Sequence, residues 1–357
     1  MRMDSQWIWG VAARGDTSIF LRLPPDRAYM ENTMIVQIYE IQNPVEAQQC
    51  MDLGVDHIGS VILSGIEWRQ PAIKEVISLS DGTETKNSLI PLFQDPETIY
   101  RVLDYYRPHY VHFCDDLTDG SGRAITLDPH ILLQETMKER FPEIGIIRSI
   151  PVPLPLNHGD YPSLRVAASL EEVSDFFLID TWTGSEPVAG YIGITGQIPD
   201  WGLARKVVDQ SRIPVILAGG LSPENVFDGL MQVIPAGADS CTGTNRKDQN
   251  GKPLRFQKDA GRVRKFVSEV KRAQQAIRGR QAVLIHKLEE VREELRERVK
   301  ALPRHSVRPH QLILIEELEE EAADLEQEIL QMGRFQTASA KLRLSDSLKG
   351  DPYGSHL

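Results

Sequence analysis

Cysteines and long apolar runs are both scarce in this 357-residue sequence. Its three cysteines, Cys50, Cys114 and Cys241, are far apart and form no Cys-x-x-Cys pair. This usage excludes a dense disulfide framework, gives no support to a zinc or other metal site, and favours a reducing compartment, so we expect a cytoplasmic protein. No segment approaches the roughly 20 apolar residues that cross a bilayer, and the start has no signal-peptide core before Arg14, so we expect no membrane partner.

An excess of basic residues is also absent. The chain has 40 Lys plus Arg against 51 Asp plus Glu, a formal net charge of -11. Because affinity for nucleic acid is built mostly from clustered Lys and Arg, we expect no nucleic-acid partner. The hydrophobic share of 41% and charged share of 25% are typical of a globular protein.

Eight short apolar runs alternate with amphipathic stretches from Met34 onward. The runs are rich in Ile, Val and Leu, as buried parallel strands are, and they span 34–39, 57–63, 88–93, 110–114, 145–150, 176–180, 214–217 and 238–241. Helical patterns between them include 44–53, 96–106, 129–140, 201–211 and 223–233. Eight such units predict an α/β fold, a closed (β/α)8 barrel over residues 34–274, with an open doubly wound sheet as the alternative.

Proline follows a residue with a capping side chain at the start of four of these helices. A capping oxygen followed by proline at the first helical position is a helix-start signal. The four expected caps are Asn43, Asp95, Asp128 and Ser222.

The chain on either side of the barrel has a different pattern. After about Lys271, apolar residues recur at steps of three or four among many Glu and Arg, and residues 303–309 contain two helix-breaking prolines. This predicts an antiparallel, coiled-coil-like helical hairpin over 275–335, which either packs on the barrel or on itself, or joins copies in a homo-oligomer. Residues 336–357 are predicted to form a flexible tail. Residues 1–33 show no period and are interpreted as an extension, disordered or preceding a true start at Met30 or Met34.

Glycine-bearing loops follow three consecutive strands of the predicted barrel. In such barrels the reactive groups stand at the carboxyl ends of the strands, and the loops after strands seven and eight commonly hold phosphate. Glycine lets backbone N–H groups approach an anion, although a glycine pair is also an ordinary turn. We expect phosphate to be bound by Gly219, Gly220, Gly243 and Thr244. The third loop is expected to contact the rest of a phosphorylated metabolite through Gly193, Thr195 and Gly196.

Residues 34–272 resemble the phosphoribosylanthranilate isomerase family. The resemblance is carried, in the family's order and spacing, by IYEIQNPVEAQQCMDLGVDHIGSVI, IPLFQDPETIYRVLDYYRPHYVHF, LIDT, GITGQIPDW and PVILAGGLSPENV. The last two are the most specific, because the family reads Gly-Gly-Thr-Gly-x-x-x-Asp-Trp and then a proline-led strand ending in Ala-Gly-Gly-Leu. The resemblance implies a (β/α)8 barrel that catalyses the Amadori-type isomerisation of tryptophan biosynthesis without a cofactor.

The resemblance also assigns roles to individual residues. Asp180 falls at the family's general acid, and Arg69 falls where the family arginine meets the anthranilate carboxylate. An ordinary surface arginine is the alternative for Arg69. Cys114 replaces the histidine of the family's Leu-His-Gly and is taken as a substrate-binding candidate, and Ile194 replaces the second glycine of Gly-Gly-Thr-Gly.

The family's general base is missing. The family begins with Lys-Ile-Cys-Gly, and the corresponding residues here are Gln37, Ile38, Tyr39 and Glu40. Tyrosine, with a pKa near 10, is a weaker candidate base than a thiol near 8.5 unless a cation lowers its pKa. Glu40 is chemically better, but strand alternation turns it away from the side that Tyr39 faces unless the strand has already ended. Cys114 is the third candidate, with a small buried residue as its alternative interpretation.

Three functions remain open from these residues: an isomerase of a phosphoribosyl amine, a lyase-like enzyme on the same barrel, and a non-catalytic binding and scaffold protein. The fold alone cannot choose among them, because this barrel supports many chemistries. His57, His109 and His112 lie within or near the starts of strands and are interpreted as structural.

Overall fold

The computed structural model describes residues 33–119, 121–155, 161–303 and 308–348, with side chains as far as Met332. The predicted N-terminal extension, apart from residue 33, and residues 349–357 of the predicted tail lie outside the described residues. Within the part of the chain that is described, no helix is long and apolar enough to span a membrane.

Eight parallel strands form a closed barrel in sequence order, which confirms the predicted architecture. The barrel closes where Ile35 pairs with Gly237, and this pairing excludes the open doubly wound sheet. The strands are β1 (Ile35–Ile38), β2 (His57–Ile62), β3 (Lys86–Pro91), β4 (Tyr110–Phe113), β5 (Gly145–Pro153), β6 (Phe176–Trp182), β7 (Val215–Leu217) and β8 (Gly237–Ser240).

Helices follow the strands on the outside of the barrel. They are α1 (Pro44–Asp52), α2 (Pro71–Ser78), α3 (Pro96–Tyr106), α4 (Asp128–Arg140), α5 (Ser163–Leu170), α6 (Trp201–Gln210) and α7 (Val226–Val233), and they are followed by α8 (Ala260–Lys300) and α9 (Pro309–Leu348). The largest apolar cluster fills the space between β-strands and helices, with Ile38, Val207, Leu217 and Phe266 among its members. A second cluster, including Tyr39, Ile147 and Leu178, fills the barrel interior.

Two of the four expected helix caps are confirmed. The side chains of Asn43 and Asp95 accept hydrogen bonds from the backbone of Glu46 and Thr98, respectively. Asp128 is not a cap, because α4 already includes it and makes no side-chain cap bond. Ser222 Oγ accepts a hydrogen bond from the backbone N–H of Glu224 at 3.3 Å, but the helix expected to follow it, α7, begins only at Val226. Before α7, the backbone N–H of Ser222 donates to Asn225 Oδ1 at 2.8 Å, so this stretch forms a turn of its own.

A small β-hairpin follows strand β8 and was not predicted. A 3-10 turn (Thr242–Thr244) leads into β9 (Asn245–Lys247) and its antiparallel partner β10 (Pro253–Lys258). The backbone N–H of Lys258 donates to Glu46 Oε1 at 3.0 Å. The hairpin is thereby joined to helix α1, beside the end of β1.

The two C-terminal helices are present, and their ion pairs show that they run antiparallel. Arg280 pairs with Glu328, and Lys287 pairs with Glu321. The predicted boundary at residue 274 is not a break, because α8 starts at Ala260 and contains no proline before Lys300. Ile277 and Met332 belong to the same apolar cluster as the barrel helices, so the pair packs on the barrel. Homo-oligomerisation and a coiled coil stay predictions.

Helix α9 extends beyond the predicted end of the hairpin at residue 335. It continues to Leu348, into the stretch that we expected to be a flexible tail. Residues 337–348 contain no proline or glycine and include several Ala, Leu, Lys and Arg, which are strong helix formers. Propensity therefore outweighs the polar character from which a tail was expected.

Candidate functional site

A cavity opens at the carboxyl ends of the barrel strands, where the fold predicts the reactive groups. Its empty volume is about 580 Å³, including the part open to solvent. Five of the predicted site residues line it: Tyr39, Glu40, Cys114, Asp180 and Gly193. His112 and Asp239 line it too, and neither was predicted.

Asp180 lies near the end of β6 with its carboxyl group in the cavity. Oδ1 accepts a hydrogen bond from the backbone N–H of Thr181 at 2.8 Å. Burial raises the pKa of Asp180 to about 7, and the nearby charge of Glu186 acts in the same direction. A large part of this group therefore carries a proton at neutral pH, as a general acid requires.

Tyr39 follows β1, and its ring occupies the side of the cavity next to β2. A Cβ atom at Gly59 would lie 2.1 Å from the ring of Tyr39, so only glycine leaves room for it. The phenolic oxygen lies 2.7 Å from Nδ1 of His112. Burial raises the pKa of Tyr39 well above its ordinary value, so the phenol is not ionised at neutral pH.

His112 lines the cavity, whereas we had interpreted it as a structural residue away from the reactive end. Its Nε2 atom lies 2.8 Å from the hydroxyl oxygen of Ser149 on β5. Burial, with the charge of Arg148 adding to it, lowers the pKa of His112 to about 3, so the imidazole is neutral. Alternation could have found it, because residues two apart on a strand face the same side and Cys114 was already a candidate.

Glu40 reaches the cavity because β1 ends at Ile38, the condition under which we expected it to do so. Its carboxylate accepts hydrogen bonds from Arg255 Nε at 2.6 Å and from Asn245 Nδ2 at 3.2 Å. Burial opposes ionisation, but the charges of Arg255 and Lys258 outweigh it and lower the pKa of Glu40. The carboxylate is therefore ionised and already paired.

The cysteines in the cavity are thiols. Cys114 is buried at the end of β4, and Cys241 follows β8. Burial is the largest influence on both and raises their pKa well above the ordinary value. Since the thiolate is the basic form, neither cysteine is prepared to act as a base.

Asp239 on β8 is a second carboxyl group of the cavity. Its Oδ1 accepts a hydrogen bond from Gln37 Nε2 at 3.2 Å. Burial raises the pKa of Asp239 to about 8, and the charge of Asp180 acts in the same direction. It lies two residues before Cys241, so it shares a face with that residue, but no motif in the sequence had marked it.

Arg69 lies outside the cavity, contrary to the expectation from the resemblance. Its guanidinium stacks over the ring of Trp68, 4.7 Å from the ring centre, and lies 5.7 Å from that of Tyr105. A cation over an aromatic face is stabilised there. This aromatic platform holds the side chain at the rim of the loop after β2, so the structure does not bring Arg69 to Asp180.

The three glycine loops contact one another through their backbones. A Cβ atom at Gly220 would lie 2.7 Å from the carbonyl oxygen of Gly196, and one at Gly243 would lie 2.1 Å from that of Leu221. Gly219 has a φ of 81° and leaves no room for a side chain beside Thr181. The structure therefore brings together the loops that were predicted to hold phosphate.

The two threonines of these loops differ in access. Thr195 is partly exposed, and its hydroxyl accepts a hydrogen bond from the backbone of Gln197 at 3.2 Å. Thr244 is fully buried, and its hydroxyl donates to the carbonyl of Cys241 at 3.2 Å. The hydroxyl of Thr244 is therefore occupied within the turn, whereas we expected it to be available to phosphate.

No three potential metal-ligating side chains converge within the described ranges.

Two glycines of the family pattern are replaced here by residues that keep a left-handed backbone. Glu40 has a φ of 63°, and Ile194 has a φ of 60°. This conformation is uncommon for residues other than glycine and is strained for a β-branched residue such as Ile194. The loop shape at these two positions is one that glycine adopts without strain.

The family model and two relatives of known function agree on one family. The sequence model of the N-(5'-phosphoribosyl)anthranilate isomerase family matches residues 132–269 of this chain. This range includes Asp180 and all three glycine loops but not Tyr39. The isomerase of Methanocella arvoryzae is 32% identical over 242 residues, 66% of this chain and 97% of that protein. That of Methanosarcina acetivorans is 25% identical over 244 residues, 66% and 92%. The solved isomerase of Pyrococcus furiosus matches 67% of this chain and 99% of that one, with 20% identity and a TM-score of 0.48.

Proposed function

Because the chain belongs to the N-(5'-phosphoribosyl)anthranilate isomerase family, we propose that it isomerises a phosphoribosyl amine, with phosphoribosylanthranilate as the first substrate to test. The reaction converts an aldose amine into a ketose amine. An acid protonates the ribose ring oxygen, and a base removes the proton from C2, so two groups must face the same sugar.

Asp180 carries this proposal as the general acid. It lies in the cavity at the end of β6, and the pKa near 7 that burial gives it matches the pH at which it must both hold and release a proton. Asp239 offers the same cavity a second carboxyl group that holds its proton at neutral pH.

Tyr39 is the base that we favour among the three candidates. The Glu40 carboxylate is paired with Arg255, which lowers its basicity, and Cys114 is a buried thiol whose raised pKa keeps it protonated. The phenol of Tyr39 is hydrogen-bonded to an imidazole within the cavity. The oxygen of Tyr39 is therefore the candidate atom that a neutral imidazole contacts directly.

The phosphate of the substrate is proposed to bind where the loops containing Gly196, Gly220 and Gly243 meet. Two observations support this: the backbone-to-backbone contact of the loops and the left-handed backbone of Gly196 and Gly220, with φ of 66° and 59°. Such loops present backbone N–H groups to an anion.

The cytoplasm is the location that we propose for this protein. Its three cysteines are free thiols, as is usual in a reducing compartment.

A non-catalytic barrel that binds a phosphorylated metabolite is the second candidate. One observation favours it: burial raises the pKa of the Tyr39 phenol and of both cavity thiols, so that none of them is ionised at neutral pH. The candidate base that is ionised, Glu40, is already paired with Arg255.

Two measurements decide between these functions. The full chain is assayed with phosphoribosylanthranilate in vitro and is expressed in a tryptophan auxotroph that lacks this isomerase. The proposed function predicts turnover and growth. Binding of the substrate without turnover, together with no growth, would favour the binding protein and contradict the isomerase.

A further inference from the structure

Tyr39, His112 and Ser149 form a hydrogen-bonded chain across the barrel interior. Nδ1 of His112 lies 2.7 Å from the phenolic oxygen of Tyr39, and Nε2 lies 2.8 Å from the hydroxyl oxygen of Ser149. All three side chains are buried, with exposed fractions of 4%, 3% and 0%. They come from three places in the chain, after β1, on β4 and on β5, so the fold itself aligns them.

The chemistry of a neutral imidazole restricts the direction of these bonds. It carries one N–H donor and one acceptor nitrogen, so one nitrogen must donate and the other must accept. When Nε2 donates to Ser149, Nδ1 accepts from the phenol. In that arrangement, the phenol is the donor to His112, and the lone pairs of its oxygen take no part in that bond.

We propose that His112, fixed by Ser149, is the positioning residue that makes Tyr39 a base by accepting the phenolic proton while Tyr39 takes the proton from C2 of the sugar. This inference rests on the proposed isomerase function. The C2–H bond breaks, and its proton goes to the phenolic oxygen. The phenolic O–H bond breaks, and that proton goes to Nδ1. The electron pair of the C–H bond forms the new carbon–carbon double bond and neutralises the iminium nitrogen of the ring-opened substrate. The proton then returns through Tyr39 to C1 of the enolamine, and the proton of the 2-hydroxyl group passes to the Asp180 carboxylate left by ring opening. The ketose amine forms, and Tyr39 and His112 are again neutral.

The charge balance of the cavity supports a relay rather than an ionised phenol. A phenolate formed before reaction would be a new buried charge, which is costly in a desolvated site. In the relay, the positive charge leaves the substrate nitrogen as it arrives on His112, so the total charge inside the cavity does not change. The carboxylate of Glu40, which also lines this cavity, stays in place throughout.

The ring of Tyr39 is also held in a fixed place. Gly59 leaves no space between its Cα and the ring, and His112 fixes the hydroxyl at the other end. A group held within about 0.5 Å of its productive position is what an active site requires of its reacting atoms. The close contact with Gly59 therefore holds the Tyr39 ring in one position.

Kinetics of variants of the full chain with phosphoribosylanthranilate test the relay. Tyr39→Phe and His112→Phe are expected to lower kcat by about 10²-fold or more with little change in KM. His112→Asn keeps a polar group near the position of Nδ1 but cannot take up the proton, so it should be slow as well. The double variant of Tyr39→Phe and His112→Phe should be no slower than either single variant, because the two residues act as one unit.

Tyr106→Phe is the matched control. Tyr106 is equally buried, and its hydroxyl donates to the carbonyl of Trp68 at 2.7 Å, but it does not line the cavity. It should lose stability and keep kcat. An active wild type whose His112 variants turn over normally would overturn the relay alone, and so would independent, multiplicative effects of the two residues. A wild type without turnover would overturn the proposed function and the relay with it.

Nitrogen NMR of the wild-type protein tests the same proposal without any variant that must fold. The signals of His112 should show a neutral imidazole with its proton on Nε2. A proton on Nδ1 would overturn the proposal, because that nitrogen could not then accept one from Tyr39.

Discussion

The carboxyl group of Asp180 lies directly against the backbone of Gly193. A Cβ atom at Gly193 would stand 2.1 Å from Oδ2 of Asp180, and the φ of 94° at this glycine is itself unfavourable for any side chain. The loop after β6 therefore fixes the orientation of the proposed acid through the absence of a side chain.

Gly193→Ala should displace the Asp180 carboxyl group and lower kcat by about 10²-fold, since misplacement of a catalytic group by about 1 Å has effects of that size. Steady-state kinetics with phosphoribosylanthranilate measures this. Gly190→Ala is the matched control, because Gly190 also has a positive φ, 82°, but has nothing within 4 Å of its Cβ position. Equal loss in both variants would show that backbone strain, and not the contact with Asp180, is responsible.

Asp239 should make the folded protein less stable as the pH rises. Its pKa is raised from 3.8 to about 8 in the folded state, so the folded chain holds a proton that the unfolded chain releases. This contribution to the free energy of unfolding is complete below about pH 4 and is lost as the pH rises to about 8, by at most about 1.4 kcal/mol per pH unit. Relative to the wild type, Asp239→Asn should therefore gain stability progressively between these pH values in denaturant titrations.

Asp81→Asn serves as the control for this titration, because Asp81 is exposed on the loop before β3. A pH-independent difference for Asp239→Asn would contradict the raised pKa.

The side of α9 that packs on α8 and the barrel should contribute to global stability. Ile329 is fully buried, whereas its neighbour Leu330 is 45% exposed. Ile329→Ala should lower the free energy of unfolding by about 2–5 kcal/mol, and Leu330→Ala should change it by less than about 0.5 kcal/mol. If chemical denaturation gave the same small change for both, the C-terminal helices would be independent of the barrel.

A negative charge at the meeting point of the glycine loops should weaken phosphate binding. Thr195→Asp places a carboxylate on a partly exposed position of the loop after β6 and is expected to raise the Kd for inorganic phosphate at least about tenfold by like-charge repulsion. Calorimetric titration measures this, with Thr136→Asp on the outer helix α4 as the control. Equal affinity in both variants would place the anion site elsewhere.

Much of the fold was accessible from the sequence because its signals are local. The apolar runs identified all eight strands, and the Asn43 and Asp95 caps were confirmed because a capping residue needs only a partner three positions away. Ser222 does not begin the helix expected after it, because its backbone N–H donates to Asn225 Oδ1 in a turn that precedes α7. The start of α8 was misplaced because its repeat resembles a separate hairpin, while Phe266 and Ile277 on the same helix are packed into the barrel.

The site was less accessible because its geometry depends on distant contacts. Asp180, the proposed acid, was identified through a motif, but the contact between Tyr39 and His112 joins residues 73 positions apart. Arg69 was misplaced because Tyr105, which forms part of its platform, belongs to helix α3. Glu40 was a candidate base only on the condition that β1 had already ended. Neither the end of this strand nor the pairing of Glu40 with Arg255 can be predicted from the residues next to it.

We propose that Asp180 donates the proton that opens the sugar ring, and the turnover of Asp180→Asn tests this role. Measured with phosphoribosylanthranilate across pH 5–9, the wild-type kcat should fall as the pH rises through about 7, where Asp180 loses its proton. Asp180→Asn should lower kcat by about 10²–10⁴-fold while leaving the Kd for the substrate nearly unchanged, because the acid acts on charge that develops during the reaction. Wild-type turnover in Asp180→Asn, with the same pH profile, would contradict the account.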